Sequence, residues 1–268
     1  MILFPNAKIN LGLQITGKRG DGFHEIRTGI YPVPLLDAVE IIISKKMTFT
    51  ATGLAVPGTD KDNLILKGYH LLKKDFNDLP PVSIYLHKTI PVGAGLGGGS
   101  SDAAFALKLM NNLFDLHLDD WLLEEYAALL GSDCPFFVEN TPKIASGRGE
   151  LLEPLELDLT GKWVALVNPG LQISTKEAYQ GITPKPAKAD LREILSDPMM
   201  WKTQLINDFE EGIFKKYPEL AALKNKLYDK GAFYSAMSGS GSTVFGLFEQ
   251  EPELGTWPEG YFVFKAGL

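Results

Sequence analysis

The strongest chemical signal in the chain is a nine-residue run, Gly93-Ala94-Gly95-Leu96-Gly97-Gly98-Gly99-Ser100-Ser101, entered through Pro91 and Val92. Glycines at this density let consecutive backbone N–H groups converge on an anion without side chains blocking its approach. A helix starting just beyond them adds the favourable end of its dipole. Phosphate is the anion that fits, with the Ser100 and Ser101 hydroxyls available to its oxygens. The bland alternative, a flexible turn, leaves the small polar residues at a helix start unexplained. A Walker loop is excluded because no Lys follows the second glycine of a G-x-x-x-x-G-K pattern. Gly93 to Gly98 does match G-x-G-x-x-G, but the dinucleotide fold needs a hydrophobic second strand ending in an acidic residue about 20 positions on. Asp115 to Asp120 stands there instead. A second signal is Asp133, a carboxylate set in Gly131-Ser132-Asp133-Cys134-Pro135 before Phe136 and Phe137. A charge in a turn flanked by apolar residues is a poor way to build a core, and it suits proton chemistry or a helix cap.

Those groups need elements behind them. Val82, Ile84 and Leu86 alternate as a strand that runs past Lys88 towards Pro91, while Ala103, Ala106, Leu107, Met110, Leu113 and Phe114 recur at helical spacing. The glycines therefore join a strand to a helix start. Ile9, Leu11, Leu13 and Ile15 alternate with Lys8, Asn10, Gly12 and Gln14, the period of a half-buried strand, which points Lys8 and Asn10 the same way. Gly17 to Gly22 reads as a loop that delivers Phe23 and His24 ahead of an extended run from Ile26. Val39 to Ile43 reads as a strand, Asp62 as the cap of a helix carrying Leu64, Ile65, Leu71 and Leu72, and Asp119 and Asp120 as the start of a helix that Gly131 closes. Trp163 to Val167 and Ala236 to Phe248 read as strands, and Trp201 to Glu211 and Pro218 to Lys230 as helices. The character of the sequence changes after Glu150, so a domain boundary is expected near residue 155.

With 268 residues, the chain is long enough for one large or two smaller domains. Its 26 Lys and Arg against 33 Asp and Glu give a net charge of −7, which argues against broad nucleic-acid binding. The 27 glycines, about 10% of the chain against roughly 7% in average proteins, are concentrated locally, as a binding loop requires. A single Cys favours a reducing compartment, and neither a signal peptide nor a run of about 18 apolar residues is found, so a cytoplasmic protein is expected.

The glycine run with its flanks, Pro91 to Ala104, resembles the phosphate-binding motif of the GHMP kinases in its triple-glycine form. The likeness extends in order through Pro5 to Leu11, Asp21 to His24, Asp62 to Leu64, Gly131 to Phe137, Ser146 to Glu150 and Ser238 to Phe245. It implies an α+β, two-domain GHMP kinase fold: a ribosomal-S5-like ATP-binding domain over residues 1–155 and a ferredoxin-like substrate-binding domain over 156–268. It also implies an enzyme that phosphorylates the 2-hydroxyl of a cytidine-diphosphate-linked methylerythritol in the non-mevalonate isoprenoid route. ATP and Mg2+ are the implied cofactors, Mg2+ arriving with the nucleotide and finding few dedicated protein ligands.

By the same resemblance Asp133 is the base and Lys8 stands beside the acceptor oxygen. Pro91, Val92, Gly93, Ala94, Gly95, Leu96, Gly97, Gly98, Gly99, Ser100 and Ser101 hold ATP, and Asn63 and Lys88 lie near the nucleotide. Asn10, Phe23, His24 and Tyr179 hold substrate, the aromatic side chains gripping the cytosine ring. Phe23 stands where Tyr is usual in the family, which keeps a stacking face and loses a hydroxyl. Small molecules are the expected partners, with neither nucleic acid nor membrane among them, and the oligomeric state stays open. Three alternatives remain at this point: a GHMP kinase acting on homoserine, mevalonate or a sugar, a nicotinamide-dependent oxidoreductase, and a non-catalytic nucleotide-binding module.

Overall fold

The computed structural model describes residues 1–59, 62–187 and 189–268. The chain divides into two compact units built from interleaved segments: Met1–Ala7, Leu35–Val92 and Gly97–Thr141 in the first, Lys8–Pro34, Gly93–Leu96 and Pro142–Leu268 in the second.

The first unit is a four-stranded sheet ordered β1 (Ile2–Leu3), β4 (Ala38–Ile43), β6 (Val82–Lys88), β5 (Thr48–Gly53). Only the β5–β6 pair is parallel. In the β4–β6 register Val39 faces Leu86 and Ile41 faces Ile84, so one sheet face is uniformly aliphatic and fully buried. Helices α1 (Leu64–Asp75), α2 (Gly98–Leu113), α3 (Asp120–Leu130) and the single turn α4 (Phe136–Glu139) complete the unit. Ala103, Ala104 and Ala106 let α2 pack closely, and Leu107, Leu109 and Met110 fill the space beside them. Asp119 caps α3 through Leu122 N–H (3.0 Å) and Gly131 ends it, as the sequence indicates. The cap of α1 differs: Asn63, not Asp62, accepts from Ile65 N–H (2.9 Å), while the Asp62 carboxylate takes the Thr59 hydroxyl (2.8 Å).

The second unit holds two sheets. One is ordered β2 (Asn6–Lys18), β3 (His24–Leu36), β7 (Lys143–Gly147), β8 (Leu151–Pro154); the other, wholly antiparallel, is ordered β10 (Tyr234–Met237), β11 (Val244–Phe248), β9 (Trp163–Asn168), β12 (Phe262–Gly267). Strand β2 departs from the half-buried pattern, because Lys8 and Asn10 are 4% and 5% exposed and both of its faces are covered over that stretch. Helices α5 (Thr175–Ala178), α6 (Leu191–Ser196), α7 (Pro198–Gln204), α8 (Phe209–Lys216) and α9 (Pro218–Asp229) are distributed along the C-terminal half. Phe209, Ile213, Leu220, Leu223 and Leu227 share a core with Ala165, Val167 and Val244 of the second sheet and with Leu13 and Ile15 of β2. Each of the larger side chains among them contributes about 1.5–3 kcal/mol on burial.

The helix expected over Trp201 to Glu211 is two helices. Between them the backbone pairs with β2 instead, Leu13 N–H donating to Ile206 O (2.9 Å) and Asp208 N–H to Leu13 O (2.8 Å). The extended run from Ala236 to Phe248 is a pair of strands, β10 and β11, joined by the loop Ser238 to Thr243. The boundary expected near residue 155 lies just beyond β8, within the second unit's third segment.

Candidate active site

Strand β6 ends at Lys88, and the chain then passes through the glycine loop into α2. Gly93, Gly95 and Gly97 have φ of 66°, 79° and 70°, alternating with residues outside the left-handed region. Such alternation turns successive N–H groups towards one side, the geometry of an anion nest. Gly95 has a second reason to lack a side chain: a Cβ there would lie 2.0 Å from the Ser238 carbonyl oxygen. Gly97 is the N-cap of α2 and brings no side chain of its own to that end. The start of a helix presents amides and the favourable end of its dipole to an anion. A Cβ at Gly99 would meet nothing within 4 Å, so the space over this turn is open.

Within the second unit, Lys8 is joined to the loop. Its ammonium donates to the Gly95 carbonyl (2.9 Å) and to Asn10 Oδ1, and its backbone N–H to Leu96 O (3.0 Å). The Gly95 carbonyl also accepts the Ser238 hydroxyl (2.8 Å), which itself accepts Asn10 N–H (3.2 Å). Asn10 Nδ2 donates to Thr28 Oγ1 (3.1 Å), which fixes the way the amide faces. A buried ammonium is costly unless its donors are matched, and these acceptors match it. Thr243 N–H donates to Ala94 O (3.2 Å), so the Ser238 to Thr243 loop braces the glycine loop at two points.

Within the first unit, a 290 Å³ pocket is walled by Val56, Pro57, Leu64, Ile65 and Leu86, with Asn63, Lys88, Val92, Gly99 and Asp102 among its polar and loop-side lining. Lys88, the last residue of β6, is 2% exposed. Its ammonium donates to Asp102 Oδ2 (2.7 Å) and to Asp37 Oδ2. Asp37 Oδ1 accepts Thr89 N–H (2.5 Å) and Ile90 N–H (2.8 Å). Burial pushes the Asp102 carboxyl up to about 7, Lys88 pulling it down and Asp37 raising it. Ser101 is fully buried. Asp133 lies in the turn between α3 and α4, where Cys134 N–H donates to Gly131 O (3.1 Å). Burial pushes the Cys134 thiol up to about 12, against a hydrogen bond from Ser100, which makes it an inert neighbour rather than a nucleophile.

The aromatic residues sit at the other end of β2 and β3. The His24 ring lies flat on Tyr179, centroids 4.4 Å apart and planes 13° apart, so no third ring fits between them as they stand. Tyr179 meets Phe209 edge-on at 4.9 Å. Phe23 is 54% exposed, with the Arg148 guanidinium 5.1 Å from its ring centroid.

The structure thus groups Lys8, Asn10, Gly95 and Leu96; Asn63, Lys88, Val92 and Gly99; and His24 with Tyr179. Three contributors escaped sequence reading. Asp102 stands inside the Pro91 to Ala104 motif and Arg148 inside Ser146 to Glu150, whereas Asp37 carries no local signal. Among the described residues no three His, Cys, Asp or Glu side chains converge as a metal site, and no helix is long and apolar enough to cross a membrane.

The nest at a helix start, with a buried lysine on its loop, defines the class as the GHMP kinases, whose N-terminal domain model matches residues 63–140 and whose C-terminal model matches 188–255. The chain is 51% identical to a 4-diphosphocytidyl-2-C-methyl-D-erythritol kinase of Bacteroides fragilis, with all of both chains covered, and 51% identical to that of Cytophaga hutchinsonii, with 94% of each covered. A crystal structure of 4-(cytidine 5'-diphospho)-2C-methyl-D-erythritol kinase superposes with a TM-score of 0.78 at 32% identity, over 93% of this chain and 91% of that one. Mevalonate kinase of Methanococcus jannaschii shares the fold, with a TM-score of 0.71 at 15% identity over 99% and 97% of the two chains. The chain belongs to the 4-diphosphocytidyl-2-C-methyl-D-erythritol kinase family of GHMP kinases, and is an ATP-dependent enzyme of α+β fold.

Proposed function

We propose that this chain transfers the γ-phosphoryl group of ATP to the 2-hydroxyl of 4-diphosphocytidyl-2-C-methyl-D-erythritol, in the non-mevalonate isoprenoid route. The observation that carries the reading is the Lys8 ammonium held by the Gly95 carbonyl, which ties a buried cation to the loop whose amides suit phosphate. In this reading the Gly93 to Ser101 amides, with Pro91 and Val92, cradle the phosphates, and Asn63 and the wall at Lys88 receive the nucleoside. Mg2+ enters as part of the MgATP substrate and screens the phosphate charge.

The acceptor oxygen bonds to the γ-phosphorus as the bond to the β,γ-bridging oxygen breaks, and the hydroxyl proton passes to Asp133. A carboxylate is far too weak to ionise an alcohol beforehand. In a loose transition state the proton leaves late, so Asp133 chiefly orients the hydroxyl, while Lys8 stabilises charge developing on the acceptor oxygen. Asn10, Phe23, His24 and Tyr179 bind the cytidyl substrate; a base stacked on Tyr179 takes the place of the His24 ring or parts the pair. We assign an ATP-binding domain to residues 1–155, which also carries Asn10, Phe23 and His24 for the substrate, and a substrate-binding domain to 156–268. The setting we infer is the cytoplasm, a reducing compartment that suits a lone thiol.

The test is a substrate panel with MgATP. Phosphorylation of 4-diphosphocytidyl-2-C-methyl-D-erythritol, with none of homoserine or mevalonate, is expected, and the reverse preference overturns the substrate assignment. Asp133→Asn is expected to lower kcat by at least about 100-fold with ATP affinity retained; full turnover in that variant refutes its role.

A further inference from the structure

Lys88, Asp37 and Asp102 form a sealed cluster, with side chains 2%, 0% and 5% exposed, beneath the first turn of α2. A Cβ at Gly98 would lie 2.9 Å from the Lys88 ammonium nitrogen, so nothing separates the cluster from the end of the glycine loop. With both carboxylates ionised the cluster carries one positive and two negative charges. The two acids are not equivalent. Asp37 accepts from three donors, Lys88, Thr89 N–H and Ile90 N–H. Asp102 accepts only from Lys88, through Oδ2, and its buried Oδ1 has no hydrogen-bond partner among the described residues. A proton on Oδ1 therefore breaks no existing bond.

We infer that Asp102 is a positioning residue for nucleotide binding, holding Lys88 beneath the glycine loop and taking up a proton when a nucleoside triphosphate fills the adjoining pocket. This deepens the phosphotransfer reading and rests on it, since the pocket walled by Asn63, Lys88, Gly99 and Asp102 must be where the nucleotide lies. A polyanion brought against a cluster already one negative charge in excess favours the neutral form of its least-supported acid. Burial, reinforced by Asp37 and opposed by Lys88, raises that acid to about 7, so the proton is available at working pH. The charged groups acting on Asp102 are Lys88 of β6 and Asp37 before β4. Helix α1 brings the neutral Asn63 to the pocket; of the three acids on α3, Asp120, Glu124 and Glu125, Asp120 acts on Lys108 farther along α2, whose ammonium donates to the Phe137 carbonyl of α4 (3.2 Å).

The experiment is calorimetric titration of the full chain with MgATP in buffers of different ionisation enthalpy, near pH 7.5, well above the titration of phosphate at about 6. If binding makes Asp102 hold its proton about tenfold more tightly, about half a proton is taken up and affinity falls about eightfold between pH 6 and pH 9. Asp102→Asn, which keeps an oxygen for Lys88, is expected to abolish both the uptake and the pH dependence while still binding MgATP. Binding with no proton uptake in the unmodified protein, or uptake that persists in Asp102→Asn, overturns the inference and leaves the phosphotransfer reading standing. No MgATP binding at any pH overturns that reading as well.

Discussion

Gly95→Ala is the sharpest perturbation of the loop. The new Cβ would lie 2.0 Å from the Ser238 carbonyl oxygen and 3.2 Å from that of Gly241, on a residue whose φ is +79°. An alanine in the left-handed region costs about 1–2 kcal/mol, and relieving an overlap within packed backbone costs about 1–3 kcal/mol more. The sum, about 2–5 kcal/mol, corresponds to a factor of about 30 to a few thousand in the population of the native loop. Two outlets share that cost. If the whole molecule absorbs it, melting falls by about 4–20 °C; if the loop swings away alone, melting holds and kcat/KM falls by the same factor, because the Gly95 carbonyl also anchors Lys8. Thermal melting and steady-state kinetics on one preparation separate the two. Gly99→Ala is the control: no atom lies within 4 Å of its Cβ, so the free protein should melt at or slightly above the wild-type temperature. A Gly95→Ala protein that melts and turns over like wild type would falsify the close-approach account of the loop.

Further outcomes follow from other parts of the molecule. Asp102, at about 7 in the folded chain against its usual 3.8, binds its proton more tightly folded than unfolded. Ligand-free stability measured by urea unfolding should therefore decline from about pH 4 to about pH 7 and level off above, and Asp102→Asn should remove its share of that decline. With its thiol pushed up to about 12, Cys134 should resist iodoacetamide at about pH 8 in the native protein and react once unfolded; rapid native labelling contradicts its burial. Asn207, 1% exposed, donates to the Met237 (2.7 Å) and Gly239 (2.8 Å) carbonyls and accepts Phe209 N–H (3.0 Å). Asn207→Ala strands these groups and should cost about 2–4 kcal/mol in chemical denaturation, with an unchanged midpoint refuting the brace.

Sequence alternation located β6 because Val82, Ile84 and Leu86 lie on a buried face, whereas β9 is an apolar run buried on both faces. It misjudged β2, since a strand covered on both faces carries polar residues only where specific acceptors await them, and Thr28, Gly95 and Ser238 are remote in sequence from Lys8 and Asn10. Helical spacing likewise ran through Leu205 to Asp208, where backbone pairing with Leu13 overrides local preference.

The sequence by itself determined the glycine loop, its place between strand and helix, and a carboxylate at Asp133 in a turn. Each depends on neighbours in the chain, on which residues permit positive φ and where helices start. Tertiary structure alone decided which charges meet. Lys88 pairs with Asp37, 51 positions earlier, because the crossing of β4 and β6 brings the turn before one strand to the end of the other. Lys8 finds a carbonyl 87 positions away. Burial of an ion is permitted only where partners converge from separate elements, and no local pattern encodes that convergence.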